Sequence, residues 1–190
     1  QGDGASANRA FTSAICLAAG FAAVFFLIGL LLPGPLARLL GADGAVYAMT
    51  RTYLQVILLF APAFLTNNLL LCFVRNDGAP QLAMAGMITG SLSNVVLDYV
   101  FIFPCGMGIF GAALATGFAP LISMAVLSPY LIRGKNRFRP VRCHLRPRRL
   151  AAICSAGVPS LVTEVSSGVV MIAFNAILLR LESNVGVAAY

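Results

Sequence analysis

Residues 10–32 read AFTSAICLAAGFAAVFFLIGLLL, 23 consecutive positions without a Lys, Arg, His, Asp or Glu. A helix rises about 1.5 Å per residue and the hydrocarbon core of a bilayer is about 30 Å thick, so ~20 apolar residues cross it. This stretch is long enough to span, and too long for the short apolar region of a signal peptide. Pro33-Gly34-Pro35 follows it. Proline lacks the N–H that would continue a helix, so the sequence predicts a sharp stop there.

Four more stretches repeat the pattern: Tyr53–Val74, Leu82–Phe103, Ile109–Ile132 and Leu150–Leu179, of 22, 22, 24 and 30 residues. The five together hold 121 of the 190 residues, and Asp98 and Glu164 are their only charged members. The whole chain is 59% hydrophobic and 10% charged, with a mean hydropathy of +0.90. Soluble domains carry about 25% charged residues. The expected fold is therefore all-α integral membrane, a polytopic transmembrane helix bundle with five spans. Soluble enzymes, nucleic-acid binders and disulfide scaffolds are excluded. The polar opening Gln1-Gly2-Asp3-Gly4 reads as a loop entered midway, and the closing Gly186–Tyr190 as the start of more apolar sequence. The chain is expected to be part of a larger bundle, with the remainder of the same chain as its partner.

Charge sets the orientation. Eight of the thirteen basic residues lie between Arg133 and Arg149, a connector without an acid. The positive-inside bias places that loop in the cytoplasm. Alternating sides from there puts Arg9 and Arg75 inside as well, and Arg38, Arg51 and Arg180 outside. The net charge of +7 is thus a topology signal, and no nucleic-acid partner is expected. The organisation read from this is N-terminal lobe helices in residues 1–132, a basic cytoplasmic loop in 133–149, and the first helix of a second lobe in 150–190.

The cysteines form no framework. Cys16, Cys72 and Cys154 sit in apolar spans, Cys105 outside and Cys143 inside, so no pair shares the outer face. Cys143-His144 has no partner at metal-ligand spacing. All five Tyr lie near span ends, as interfacial aromatics do. Gly86-x-x-x-Gly90, and Gly111 with Ala115, offer faces where helix backbones approach closely. Pro62, Pro120, Pro129 and Pro159 lie within or at the start of spans, where proline bends a helix.

Asp98 is the sharpest chemical signal. An acid in hydrocarbon is costly and usually faces a bundle interior or an ion path. Asn94 precedes it by four residues, on the same helical face. Asp98 lies ~8 Å and Thr116 ~11 Å below the outer ends of two helices joined by the short hairpin at Pro104–Gly108, so Asn94, Asp98 and Thr116 can converge. Carboxylate, amide and hydroxyl oxygens suit a small cation or a bound proton; the plainer reading is a trio bonded for packing. Glu164 lies ~21 Å into its span. Gly168, Met171 and Asn175 follow it on one face. It is read as lining a cavity for cation coupling or a cationic substrate, against the plainer reading of a protonated Glu bonded to a neighbouring helix. Asn67-Asn68 lies deep in the second span, nearer the cytoplasm than the Asp98 trio. Depth places this pair outside that site, bonding helix to helix.

Several segments together resemble the multidrug and toxic compound extrusion (MATE) transporters. Gln1-Gly2-Asp3-Gly4 is similar to the loop before that family's third helix. Tyr53-Leu54 with Pro62, then Val74-Arg-Asn-Asp-Gly-Ala-Pro80, resembles the fourth helix and its turn. Ser93-Asn-Val-Val-Leu-Asp98 before Ile102-Phe103, and Gly111-Ala-Ala-Leu-Ala-Thr116, resemble helices five and six; Gly157-Val-Pro-Ser160, Glu164 and Gly186–Tyr190 resemble helix seven. The resemblance implies helices three to seven of a two-lobed, twelve-helix antiporter that exports drugs or organic cations in exchange for Na⁺ or H⁺ by alternating access. It implies that Asn94, Asp98 and Thr116 bind the coupling cation, that Glu164 takes part in coupling, and that Asn68 is the nearest match to a further helix-four asparagine. Asn68, Asn175 and Tyr53 are additional candidates for a polar cavity. The implied partners are a cationic or amphiphilic small molecule and the lipid bilayer of the cell membrane, with no cofactor beyond the coupling ion.

Two other readings stay open at the level of sequence. A flippase for lipid-linked sugars of the same superfamily would need cationic side chains for a pyrophosphate, and the spans hold none. A non-transporting scaffold or channel subunit would tolerate amides at Asp98 and Glu164. An enzyme is not expected: no nucleophile–base pair is present and the single His is in the basic loop.

Overall fold

The structure is a computed structural model and describes residues 4–42, 44–134, 141 and 147–189. Most of the basic loop lies outside the described residues, as does the side chain of Asn175. The described residues form seven helices: α1 (Gly4–Leu31), α2 (Pro33–Leu39), α3 (Gly44–Leu59), α4 (Ala61–Asn76), α5 (Pro80–Ile102), α6 (Gly108–Ile132) and α7 (Pro147–Ala189). Helices α1, α5, α6 and α7 are each long and apolar enough to cross a membrane, and α3 with α4, bent by 49°, is long and apolar enough as a pair to count as a fifth. The chain divides into two units, Gln1–His144 and Leu145–Tyr190.

Three local outcomes differ from the sequence reading. Pro33-Gly34-Pro35 ends α1 but also opens α2, with proline in its first turn. Proline's fixed φ suits a helix start, where its missing N–H costs nothing. The second span begins at Gly44, nine residues before Tyr53, and is two helices. Arg51 had set the expected boundary, yet it is exposed on α3, where a long basic side chain reaches the interface while its stem stays apolar. Of the four span prolines, Pro62 lies just past a break, whereas α6 runs on through Pro120 and Pro129 and α7 through Pro159.

In the first unit α6 is central, packing on α3, α4 and α5, while α1 packs on α3 and α4. The α5–α6 hairpin turns through Gly106 and Gly108, both at positive φ (62° and 56°), a conformation in which a Cβ would be strained. The two helices then close on a seam of small residues. Gly86 and Gly90 on α5 face Ser123, Leu127 and the Ala119 carbonyl on α6, where an added Cβ would come within 3.1–3.3 Å. In lipid, where apolar surface gains nothing by leaving hydrocarbon, such close backbone approach is what holds helices together.

The end of this unit that carries the α4–α5 turn has the larger side chains. Phe11, Leu71, Val74, Ala83 and Leu127 form its core. Phe11 and Phe73 meet edge to face at 4.6 Å. Beside them the Val141 N–H donates to Thr12 Oγ1 at 3.0 Å. Outward, α1 exposes Phe21, Val24, Phe25, Phe26 and Leu27 at 39–52% each. A contiguous apolar exterior of this kind belongs against lipid or further helices.

Candidate functional site

Helices α4, α5 and α6 line a cavity of about 450 Å³ that is open on one side, with Asn68, Met87, Ser91 and Val95 exposed. Its polar lining is Asn67 and Asn68 from α4, Ser91 and Asn94 from α5, and Thr116 and Ser123 from α6; Phe64, Leu71, Met87, Val95 and Pro120 supply the apolar part. Among the described residues, the lining carries no charged side chain. It presents amides and hydroxyls on an apolar wall, the composition of a small-molecule pocket that orients a ligand through few polar groups.

Two of the predicted residues meet here. Asn94 Nδ2 donates to Thr116 Oγ1 at 3.5 Å, the outer limit of hydrogen bonding, so the contact orients the pair more than it stabilises it. Thr116 Oγ1 in turn donates to the Ala112 carbonyl at 3.0 Å. Pro120, one turn further, has no N–H, which leaves the Thr116 backbone carbonyl without its i+4 donor. Asp98 lies one turn beyond Asn94 on α5 and does not line the cavity. Its Oδ1 is buried and has no hydrogen-bond partner among the described residues. Such an oxygen loses its solvation without compensation, a cost that a bound proton or cation would relieve.

Asn67 and Asn68 do not stand apart, as their depth in the span had suggested. Both line the cavity with Asn94 and Thr116. The cavity runs from Met87 to Val95 along α5 and from Thr116 to Ser123 along α6. Each is a length of ~10–12 Å, so side chains at different depths share one wall. Ser123 was not singled out in the sequence; it is 2% exposed, and its Oγ, like Asn67 Oδ1, is buried with no hydrogen-bond partner among the described residues. A lone Ser in an apolar run carries no sequence signal that would have found it. Tyr53 is exposed on α3 and away from the cavity. Glu164 is exposed on α7, within the second unit.

Comparison with known proteins places these features in context. The MatE family model matches residues 1–100. The chain is 30% identical over 157 residues to the multidrug export protein MepA of Staphylococcus saprophyticus, covering 82% of this chain and 35% of that protein. It is 28% identical over 184 residues to the protein of the same name from Staphylococcus aureus, covering 95% and 41%. Among solved structures, it matches the outward-facing conformation of a multidrug resistance MATE family transporter of the MOP superfamily with a TM-score of 0.81, at 25% identity, over 95% of this chain and 41% of that one. The chain thus spans 35–41% of the length of these curated relatives. With its apolar spans, these likenesses make it a multi-pass membrane protein.

Proposed function

The chain belongs to the MatE family, and on that premise we propose that it is part of a secondary active transporter exporting cationic or amphiphilic small molecules in exchange for Na⁺ or H⁺. The observation that carries this reading is a neutral, polar-dotted cavity with a buried, partnerless carboxylate oxygen one helical turn from its wall. The relatives named multidrug export proteins support the export of drugs.

In this mechanism the cavity holds the exported molecule and Asp98 holds the ion. Asn94 belongs to both: it lines the cavity, bonds Thr116 and sits one turn from Asp98. A cation or proton at Asp98 draws on the amide and hydroxyl oxygens of Asn94 and Thr116, which changes how that wall meets a ligand. Ion binding drives the change of facing because the ion binds one facing better than the other. Glu164 contributes to coupling or pairs with a cationic substrate, and the 133–149 loop joins the lobes on the cytoplasmic side.

The test is dye efflux from cells carrying the full-length protein, comparing wild type with Asp98→Asn and Glu164→Gln at matched membrane expression. Asp98→Asn is expected to abolish ion-driven efflux, and withdrawal of Na⁺ separates the two ions. Efflux at wild-type rates in both variants would remove the acids from coupling. A wild type that moves no dye would sink the export reading itself.

A further inference from the structure

The break between α3 and α4 is gripped from two sides. On α1, a Cβ at Gly29 would lie 2.5 Å from Leu58 Cβ and 3.2 Å from its backbone carbon. On α6, a Cβ at Gly117 would lie 2.5, 2.6 and 2.9 Å from Cδ2, Cγ and Cε2 of Phe60. Leu58 is the last residue but one of α3, and Phe60 is the residue between the two helices, where the span bends by 49°. The Phe60 ring also meets Phe118 edge to face at 5.6 Å. Two glycines on two different helices therefore act as sockets for consecutive parts of one bend. Pro62 permits the break by withholding an N–H from the Leu58 carbonyl, but a missing hydrogen bond fixes neither the direction nor the size of a bend. Packing does.

The bend aims one wall of the cavity. Phe64, Asn67 and Asn68, which line the cavity, stand on α4 one to two turns past Phe60. Gly117 is next to Thr116, on the opposite wall. The contact between Phe60 and Gly117 thus sets the distance between α4 and α6 at one end of the cavity.

We propose that Phe60 in the Gly117 socket, with Leu58 in the Gly29 socket, is the positioning element that fixes the α3–α4 bend and thereby the size of molecule the cavity accepts. The size claim rests on the transport reading above; the bend claim does not. Gly117→Ala has no room for its methyl group while Phe60 stays in place, so it drives the start of α4 away from α6 and widens the cavity. Phe60→Ala empties the socket and lets α4 close in, which narrows it. Phe60→Leu combined with Gly117→Ala restores the spacing.

The experiment uses the full-length protein with its native cysteines replaced and spin labels at Val46→Cys and Asn76→Cys, both exposed at the far ends of the bent span. Helices of 14 and 16 residues meeting at 49° place these ends ~4 Å nearer than a straight span would. The label distance is expected to shift by up to ~4 Å in Gly117→Ala and to return in the double variant. An unchanged distance in Gly117→Ala and Phe60→Ala would mean that Pro62 alone sets the bend, and overturns the proposal. In parallel, efflux of ethidium is compared with that of the longer Hoechst 33342. The ratio is expected to move severalfold toward Hoechst 33342 in Gly117→Ala and toward ethidium in Phe60→Ala. A label shift with equal loss of both dyes overturns the size claim. If the wild type moves neither dye, the transport reading and its size claim fail together while the label distance still decides the bend.

Discussion

Tyr130, two residues before the end of the first unit's last span, donates its hydroxyl proton to Asp77 Oδ2 at 2.7 Å, across 53 residues of sequence. Asp77 caps the end of α4 and opens the turn into α5, so one bond ties α6 to the α4–α5 turn. It stands beside the core of Phe11, Leu71, Val74 and Leu127.

Loss of this bond is expected to destabilise the lobe. A hydrogen bond to a charged group contributes about 1.5–3 kcal/mol, and partial exposure of this pair puts Tyr130→Phe at or below the lower figure. Thermal unfolding of the purified full-length protein in detergent should show a midpoint lower by a few degrees, with the dye-efflux ratio unchanged. A midpoint equal to wild type would make the contact incidental.

At the α5–α6 seam, two adjacent substitutions should have opposite outcomes. Gly90→Ala places its Cβ 3.1 Å from the Ala119 carbonyl oxygen and 3.2 Å from Ser123 Cβ, neither the free end of a flexible side chain. Such overpacking costs about 1–3 kcal/mol. Ser123→Ala removes a buried hydroxyl that has no partner, and its loss should be neutral or stabilising. The same unfolding assay checks both; a destabilised Ser123→Ala would mean the hydroxyl is bonded in the membrane.

Thr116 allows a finer test of the proposed cation site. Thr116→Ser keeps the hydroxyl that accepts from Asn94 and donates to the Ala112 carbonyl, whereas Thr116→Ala removes it. Serine should retain ion-driven efflux and alanine should raise the Na⁺ or H⁺ concentration needed for half-maximal transport several-fold. Equal ion dependence in the two variants would place the coupling ion elsewhere.

Much of the fold was legible because hydrocarbon imposes a simple rule: a chain that crosses it must be helical and almost free of charge. That rule located α1, α5, α6 and the first part of α7 within a few residues. It failed at Arg51, where a single charge near a membrane edge was taken for a boundary, and at Pro33, where one residue type both ends and begins helices. Asn94 and Thr116 were paired from the length of one hairpin, a local inference. Asn67 and Asn68 were not placed beside them, because depth counted along a straight helix says nothing about how long a cavity is. The bend itself could be suspected from Pro62, but its sockets at Gly29 and Gly117 lie 31 residues before and 57 after Phe60 in sequence, and no local pattern joins them.

The contrast between the two ends of the lobe bears on how such a protein changes over generations. One end is stitched by large interlocking side chains, an aromatic pair and the Tyr130–Asp77 bond; the other is set by single side chains against single glycines. Most mutations destabilise, and a protein explores new variants only while it stays above its stability threshold. The stitched end holds that margin. Under the proposed transport function, selection by a new compound can therefore act on Phe60, Gly117 and their neighbours, re-fitting the cavity by one substitution at a time while the fold persists.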